Sequence, residues 1–252
     1  KMASWNVNSV KARLPILADF LKESAPDVLL LQETKCEEFP RLEIEALGYT
    51  VEAVGQKSYN GVAILSRTPI QNVIRRLPEG ADDHQARYVE ATIGNVRVAS
   101  IYLPNGNPIT TDKFKYKLAW MERLNTHARA LLQSEQAVVL AGDYNVCPTD
   151  DDVFSPRAFA DDALCQPESR TAFRKLLYQG WTDAILAINP APHQYTFWDY
   201  QANCWPQDHG LRIDHLLLSP QAADRLEHAG IDKTPRAKPK ASDHTPVWCA
   251  LS

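Results

Sequence analysis

Five short polar stretches occur along the chain, each just past a short apolar run with the composition of a β-strand. They occupy residues 5–8, 32–35, 142–145, 212–215 and 242–244. A strand holds the side chains at its end in fixed directions, so several strand ends can bring distant residues to one site. The stretches supply carboxylates, carboxamides and histidine, which can hold a hard divalent cation and activate water against a phosphate ester. The pattern therefore predicts a metal-dependent phosphodiesterase.

The hydrophobic periodicity predicts an α/β (α+β) fold. Short apolar runs indicate interior strands at residues 28–31, 62–65, 98–101, 138–141 and 216–218. Gly94-Asn95, between runs 88–93 and 96–102, predicts a hairpin. Helical spacing predicts helices around residues 14–21, from 110 to 132 and over 168–178. Because hairpins alternate with strand–helix units, we expect two mixed β-sheets packed face to face with helices on both outer sides.

The composition is that of a single globular domain spanning residues 1–252. Apolar residues make up 44% of the chain, and no internal repeat, low-complexity tract or long linker interrupts it. The net charge of −4 does not exclude nucleic acid, because a cation bound at an acidic site would offset part of that charge. Five widely spaced cysteines without a C-x-x-C pair fit reduced thiols. We expect a cytoplasmic protein with no membrane segment, and a monomer.

Glu33 and the stretch 142–145 carry the first part of the predicted chemistry. Glu33 follows a buried run, where a carboxylate is a natural ligand for Mg²⁺ or Mn²⁺; a solvated strand-end glutamate is the alternative. Gly142 lets the chain turn, and alternation places Asp143 and Asn145 on one face. Asp143 can accept a proton from water and Asn145 can donate to a phosphoryl oxygen. A simple Asx-turn after the strand remains the other interpretation.

The C-terminal stretches suggest an aspartate–histidine pair. Asp214 ends or interrupts a predicted strand over residues 211–218, among apolar neighbours, and a buried carboxylate needs a partner. Asp243-His244 precedes the last predicted strand, residues 246–251. An Asp214–His244 pair would orient the imidazole and favour its charged form, which stabilises phosphate oxygens. A purely structural Asp–His hydrogen bond is equally compatible with the sequence.

Basic and aromatic clusters are compatible with nucleic-acid binding, although each has a simpler explanation. Lys233, Arg236, Lys238 and Lys240 lie in one proline-rich loop, and local basic clusters of this kind bind phosphate backbones. A solvated surface is the commoner reason for such a run. The aromatic residues at 195–200 and 204–205 either belong to the core or form a surface that stacks on a base or packs against a sugar.

The motifs in their order resemble the endonuclease/exonuclease/phosphatase superfamily, and within it the exonuclease III type of abasic-site endonuclease. The resembling segments are residues 5–8, 31–35, 60–64, 102–106, 142–145, 196–200, 210–214 and 242–244. The resemblance implies a four-layered sandwich. It also implies Mg²⁺- or Mn²⁺-dependent cleavage 5′ to abasic sites in double-stranded DNA, with 3′→5′ exonuclease and 3′-phosphodiesterase or phosphatase activity on blocked 3′ ends.

The same resemblance assigns roles to individual residues. The expected metal set, with Glu33 as principal ligand, is Glu33, Asn6, Asp243, Asp143 and Asn145. The expected catalytic set is Asp143 for the attacking water, Asn145 and His244 for the pentacovalent phosphate, Asp214 to hold His244, and Tyr102 on the scissile phosphate. The expected substrate-binding set is Asn105, Asn8 and Lys35, with Phe197, Leu211 and Ile213 lining a pocket for a flipped abasic sugar.

Two departures from relatives leave the balance of activities open. Some relatives carry Trp where Leu211 stands, and exonuclease III has Arg where Gln201 stands. Two other functions also stay open: a phosphatase or phosphodiesterase for inositol phosphates or lipid head groups, and a non-catalytic DNA-binding module. The superfamily shares one catalytic set, so the fold and the metal site do not decide between substrates.

Overall fold

The computed structural model of the chain describes residues 1–252 and contains twelve strands and six α-helices. The strands are β1 (Met2–Asn6), β2 (Val28–Gln32), β3 (Thr50–Val54), β4 (Val62–Ser66), β5 (Ile70–Ile74), β6 (Tyr88–Ile93), β7 (Val96–Tyr102), β8 (Ala137–Asp143), β9 (Thr182–Asp183), β10 (Asp214–Leu218), β11 (Leu226–Ile231) and β12 (Val247–Leu251). The helices are α1 (Val10–Glu23), α2 (Arg41–Glu45), α3 (Asp112–Gln133), α4 (Pro167–Gln179), α5 (Ala184–Ile188) and α6 (Pro220–Ala223).

Two mixed six-stranded sheets form the centre of the fold. The first has the order β11-β12-β1-β2-β4-β3, and the second has the order β5-β6-β7-β8-β10-β9. One apolar core, which includes Leu30, Ile64, Val98 and Val139, lies between the sheets. Residues of α1 and α2 pack on the outer face of the first sheet, and residues of α3 and α4 pack on the outer face of the second. The predicted sandwich is confirmed.

The strand register brings the polar stretches to one edge of the sandwich. Tyr102 of β7 pairs with Asp143 of β8, and Asp143 pairs in turn with Asp214 of β10. In the other sheet, Asn6 of β1 lies beside Gln32 of β2. The prediction that every stretch follows a strand is wrong for residues 212–215 and 242–244, because these adjoin the starts of β10 and β12. Both strands run antiparallel to a neighbour, so their starts lie at the edge where β8 and β1 end.

Interior strands agree with the prediction, whereas the predicted strand 211–218 is too long. Residues 211–213 lie outside β10, and Leu211 forms only isolated bridges with Val153 and Phe197. Asp214 therefore begins a strand. The edge strands β3, β5, β9 and β11 were not predicted. No helix of this fold combines the length and the apolar character that a membrane span requires.

Helix α3 buries only part of the face that its apolar spacing indicates, together with a lysine. The stripe of Phe114, Leu118, Met121, Leu124 and Ala128 is buried only in its second half, whereas Lys117 is fully buried. The Lys117 ammonium donates to the carbonyl oxygens of Asn145 at 2.5 Å and Asn105 at 3.0 Å, and approaches that of Ala163 at 3.4 Å. Burial lowers the pKa of Lys117 to about 7. This lysine joins three loops beside the polar edge.

Gly142 lies inside β8, not at a turn. A Cβ at this position would stand 1.9 Å from the carbonyl oxygen of Ile101 on the neighbouring strand β7. The glycine therefore allows β7 and β8 to approach each other where they carry Tyr102 and Asp143. The predicted sharp turn at this position is wrong, and close approach of two backbones is the reason for the glycine.

We expect the substitution Gly142→Ala to lower the free energy of unfolding by at least about 2 kcal/mol, because the added methyl overlaps backbone. Chemical denaturation followed by circular dichroism measures the change. Gly94→Ala is the matched control: Gly94 also has a positive φ of 59°, but a Cβ there meets nothing within 4 Å. Gly94→Ala should lower the free energy of unfolding by about 1 kcal/mol, because alanine disfavours the positive φ at this position. Equal losses in the two variants would contradict the close-approach argument.

Candidate active site

Asn6 connects the two sheets at the polar edge. Its amide nitrogen donates to Glu33 Oε2 and to Asp143 Oδ2, each at 2.9 Å. Its amide oxygen accepts the backbone N–H of Asn8 at 3.0 Å. Asn6 is fully buried, so these contacts hold the two carboxylates in fixed positions. One residue at the end of β1 thus brings together carboxylates that lie far apart along the chain.

His244 and Asp214 form a buried ion pair beside Asp143. His244 Nδ1 donates to Asp214 Oδ2 at 2.8 Å, while His244 Nε2 lies 3.6 Å from Asp143 Oδ2. The Thr196 hydroxyl donates to Asp214 Oδ2 at 2.7 Å. Burial disfavours the imidazolium, but the adjacent Asp214 and Asp143 carboxylates outweigh it and raise the pKa of His244 to about 10. His244 is therefore positively charged near neutral pH.

Asp143 lies between the ion pair and Asn6, in a position suited to exchange a proton. Burial raises the pKa of Asp143 to about 7, against the opposing effect of the charged His244. Asp143 Oδ1 accepts the backbone N–H of Asn145 at 2.9 Å. That contact is an Asx-type turn, and Asn145 has a φ of 46°, so strand alternation does not relate the two side chains as predicted.

Asp243 lies on the other side of the site, in contact with Asn8. Asn8 Nδ2 donates to Asp243 Oδ1 at 3.0 Å, and the Lys35 ammonium donates to Asn8 Oδ1 at 2.6 Å. The same ammonium lies 3.0 Å from Glu33 Oε1. The predicted residues Asn8 and Lys35 therefore lie next to the acidic groups.

The donor set fits a hard divalent cation on the side of Glu33 and Asp243. Asp143, Asp214 and His244 lie closest together, with one potential ligand atom from each within 4.8 Å of the others. Protonated His244 cannot act as a ligand, and its Nδ1 is already used by Asp214. Glu33 and Asp243, with the amide oxygen of Asn6 nearby, supply the oxygen donors that Mg²⁺ and Mn²⁺ prefer. The surplus of carboxylates over the cations Lys35 and His244 also favours a bound cation.

Tyr102 faces this acidic centre. Burial, with the negative charges of Glu33 and Asp143, raises the pKa of the Tyr102 phenol well above its usual value. Its hydroxyl has no acceptor within the protein and is not enclosed, so it is free to donate to a ligand. The Arg87 guanidinium lies 4.9 Å from the centre of the Tyr102 ring and donates to the Tyr102 carbonyl oxygen at 3.2 Å.

Asn145 and Asn105 form the side of the site near Tyr102. The Asn145 amide nitrogen donates to the carbonyl oxygen of Leu103 at 2.9 Å, and its amide oxygen accepts from Asn105 at 3.3 Å. These contacts occupy both the nitrogen and the oxygen of the Asn145 carboxamide. A role for Asn145 as metal ligand therefore stays a prediction.

Left-handed backbone conformations concentrate at this edge. Asn8, Glu33, Lys35 and Asn145 all have φ between 44° and 56°. Such conformations cost of order 1 kcal/mol for residues other than glycine, and they persist where the surroundings require them. Here they turn polar side chains into the site immediately after each strand.

An apolar cavity of about 370 Å³ opens beside the ion pair. Phe197 and Leu211 line it, together with Phe154, Phe159 and Leu164. The Phe197 ring also packs edge-on against His244, at 5.0 Å between ring centres. Ile213, the third residue predicted for such a pocket, is buried in the same apolar cluster as Leu211 and does not line the cavity.

Comparison with known proteins agrees with this fold. The sandwich architecture is that of solved abasic-site endonucleases: one from Archaeoglobus fulgidus superposes with a TM-score of 0.95, at 35% identity over 99% of this chain and 98% of the other. A profile of the Endonuclease/Exonuclease/phosphatase family matches residues 3–244. The chain belongs to this family, and the predicted class, a nuclease of a metal-dependent family, is confirmed.

Two further relatives are similar over their whole length. Exodeoxyribonuclease III of Haemophilus influenzae is 31% identical over 262 aligned positions, which cover 98% of each protein. The 3′ phosphatase NExo from Neisseria, solved with a product DNA hairpin, superposes with a TM-score of 0.96 at 37% identity, covering 100% of this chain and 98% of the other.

Three residues of the site were not found from the sequence. Thr196 holds Asp214, Arg87 covers Tyr102, and Lys117 supports the loops of Asn105 and Asn145. Thr196 falls within the aromatic stretch 195–200, so its neighbours gave a signal. The sequence gives no signal for Arg87, because an arginine before a strand is an ordinary surface residue. Lys117 interrupts the buried face of an amphipathic helix, and that interruption is the signal it offers.

We expect Asp214→Asn to lower the pKa of His244 towards its ordinary value near 6.5, because the carboxylate that stabilises the imidazolium is removed while the burial remains. Nitrogen-15 NMR titration of the metal-free protein measures this directly. Wild-type His244 should stay protonated from pH 6 to pH 9, whereas the variant should titrate within that range. Asp199→Asn, which removes an exposed carboxylate, is the control. An unchanged His244 titration in Asp214→Asn would contradict the assigned ion pair.

Proposed function

We propose that the protein is a metal-dependent DNA repair nuclease that hydrolyses the phosphodiester 5′ to abasic sites in duplex DNA. Accompanying activities are 3′→5′ exonuclease and removal of phosphate or other blocking groups from 3′ ends. The observation that carries the proposal is the convergence of Glu33, Asp143 and the Asp214–His244 pair beside an aromatic cavity. The DNA hairpin bound to the Neisseria relative, and the abasic-site activity named for the Archaeoglobus relative, support DNA as the substrate.

The proposed cofactor is Mg²⁺ or Mn²⁺, held by Glu33 and Asp243 with Asn6 and Asp143 close by. When bound, such a cation neutralises negative charge on the phosphate and acts as a Lewis acid. The side chain of Glu33 is 19% exposed, so the carboxylate is reachable from solution. Lys35, 3.0 Å from Glu33, would be displaced towards Asn8 or towards a substrate phosphate when a cation binds.

Asp143 acts as the general base, and His244 acts as a charged hydrogen-bond donor. Asp143 Oδ2 takes a proton from the attacking water, and a pKa near 7 suits a general base at neutral pH. Charged His244 keeps its Nε2 proton and donates it in a hydrogen bond to a phosphoryl oxygen, where negative charge grows in the transition state. Asp214 holds that proton donor in place and keeps it charged.

Polar side chains around this pair position the substrate. The free hydroxyl of Tyr102 and the exposed amide of Asn105 lie on one side of the scissile phosphate, and Asn8 and Lys35 lie on the other. Asn145 contributes through the loop that carries it, and through its carboxamide once the contact with Leu103 is exchanged for substrate.

The cavity beside Phe197 and Leu211 would receive the flipped abasic sugar. Flipping is easiest where no base pairs, because little stacking or pairing energy is lost. The apolar wall favours a deoxyribose without a base. The assay that tests the function compares three labelled duplexes in Mg²⁺: one with a single abasic analogue, one with a 3′ phosphate and one intact. An inositol phosphate and a lipid head-group analogue serve as competing substrates.

Selective nicking 5′ to the analogue, or selective release of the 3′ phosphate, is the expected outcome. The first result identifies an endonuclease and the second a 3′-end-cleaning enzyme, and their ratio measures the balance between the two. Cleavage of the inositol or lipid phosphate alone would overturn the DNA assignment. Binding of all three duplexes without cleavage would identify a non-catalytic DNA-binding protein.

We expect Asp143→Asn to lower kcat on the abasic duplex by roughly 10² to 10⁴, the range for loss of a general base. DNA affinity should change little, because the amide keeps the shape of the carboxylate. Asp224→Asn, an exposed carboxylate at the end of α6, is the matched control and should leave kcat unchanged. Near-normal turnover in Asp143→Asn would remove Asp143 from the mechanism.

We expect EDTA to abolish cleavage, and Mg²⁺ or Mn²⁺ added in excess to restore it, because the carboxylates alone provide no Lewis acid. Calorimetric titration of each ion into the metal-free protein would give the affinity independently of activity. In Glu33→Gln the binding heat should be lost or greatly reduced. Cleavage that persists in EDTA would exclude the metal mechanism.

A further inference from the structure

A second cavity, which we call the basic pocket, adjoins the site on the side of Asn8. It has a volume of about 430 Å³ and is lined by Arg13, Arg236, Lys238 and Lys240, with Tyr200 between them and two alanines completing the wall. No acidic side chain lines it. The four basic residues come from α1 and from the loop before β12, so the fold brings together two segments that lie far apart in sequence.

Arg236 is the most unusual member of the pocket, because it is buried without a carboxylate partner. Only 8% of the residue is exposed, and its guanidinium lies against the rings of Trp205 and Tyr200 at 5.1 and 5.7 Å. Nη2 donates to the carbonyl oxygen of Trp198 at 3.1 Å. Nη1 has no acceptor in the protein and is not among the enclosed polar atoms, so it reaches the pocket.

A buried guanidinium without a carboxylate is costly unless a ligand compensates it. Desolvation of an unpaired charge opposes folding, and burial lowers the pKa of Arg236 below its usual range. Stacking on two aromatic rings recovers part of the loss. An anion in the pocket would supply the missing charge and accept the free N–H groups.

The other loop lysines separate into two groups in the structure. Lys233 lies 3.7 Å from Asp208, and Lys238 lies 3.2 Å from Asp19, so each has an acidic neighbour on the surface. Lys240 is exposed and forms no ion pair with any carboxylate of the chain. The sequence-based explanation of a solvated surface therefore holds for Lys233, but it does not account for Arg236.

A continuous set of contacts connects the basic pocket to the active site. Arg13 Nη2 donates to the Tyr200 hydroxyl at 2.7 Å, and Arg13 Nη1 donates to the carbonyl oxygen of Asn8 at 2.7 Å. Asn8 in turn contacts Asp243 at 3.0 Å. The pocket therefore adjoins the acidic centre through Arg13 and Asn8.

We propose that the basic pocket binds a backbone phosphate of the DNA strand that is cleaved, adjacent to the scissile phosphate on the Asn8 side. This inference rests on the proposed function, since it names a subsite of the same substrate. Arg236 Nη1 and Lys240 Nζ contact the phosphate oxygens, and Tyr200 lies between them. The subsite fixes the register of the strand relative to the acidic centre and carries no base specificity.

The test measures DNA binding with Asp143→Asn protein in Mg²⁺, so that the bound duplex stays intact. Lys240→Gln is introduced into this protein, and Lys175→Gln on the outer surface of α4 is the matched control. The dependence of log Kd on log salt concentration should become shallower by about 0.9 for Lys240→Gln and stay unchanged for Lys175→Gln, as expected for loss of one phosphate contact.

A second measurement locates the phosphate. A set of duplexes, each with one neutral methylphosphonate linkage, is prepared. The affinity of each duplex is measured for the Asp143→Asn protein and for the same protein carrying Lys240→Gln. One linkage next to the scissile position should weaken binding when Lys240 is present and have little further effect once Lys240 is replaced. Equal slopes for Lys240→Gln and Lys175→Gln, or additive effects at every linkage, would overturn the subsite. Cleavage of abasic duplex by the wild-type enzyme is measured separately, so failure of the subsite and failure of the nuclease assignment are distinguishable.

Discussion

The ion pair between Asp214 and His244 determines the electrostatics of the whole site. A histidine buried among apolar residues would be neutral, yet two neighbouring carboxylates keep this one charged. That charge lies 3.6 Å from Asp143 and opposes the rise of its pKa. Loss of the charged imidazole would raise the pKa of Asp143 further. The hydrogen bond from Thr196 and the start of β10 hold Asp214 in place, so the chemistry depends directly on strand register.

The interior of the fold could be predicted from the sequence because interior strands are buried on both faces. β2, β4 and β8 are continuous apolar runs with every residue buried. The four strands that were missed are the four sheet edges. β5 and β11 have no fully buried residue, and β9 contains only two residues. An edge strand pairs on one side only and is partly exposed, so its composition carries no apolar run.

The acidic residues of the site were predictable for a related reason. Glu33, Asp143 and Asp243 adjoin strands that local composition identifies, and only their resemblance to a known set indicated that they meet. Three basic residues that position the site were not predictable. Arg87, Lys117 and Arg13 act through contacts with backbone carbonyls and aromatic rings that only tertiary packing creates. The predicted strand 211–218 was too long because the apolar residues Leu211 and Ile213 resemble strand residues in composition. In the structure they pack in a small apolar cluster beside the cavity and do not belong to a sheet.

The polar edge lowers the stability of the molecule in several places at once. Lys117 is buried with its pKa lowered, Arg236 is buried without a counter-charge, and four residues hold left-handed conformations. Residues elsewhere offset this, chiefly the apolar core between the sheets and the two cores beneath the outer helices. A rigid frame is what such a site requires, since carboxylates that repel one another stay close only when the surrounding strands cannot move apart. The two sheets supply this frame because Asn6 and Asp143, one from each sheet, are hydrogen-bonded directly across the interface.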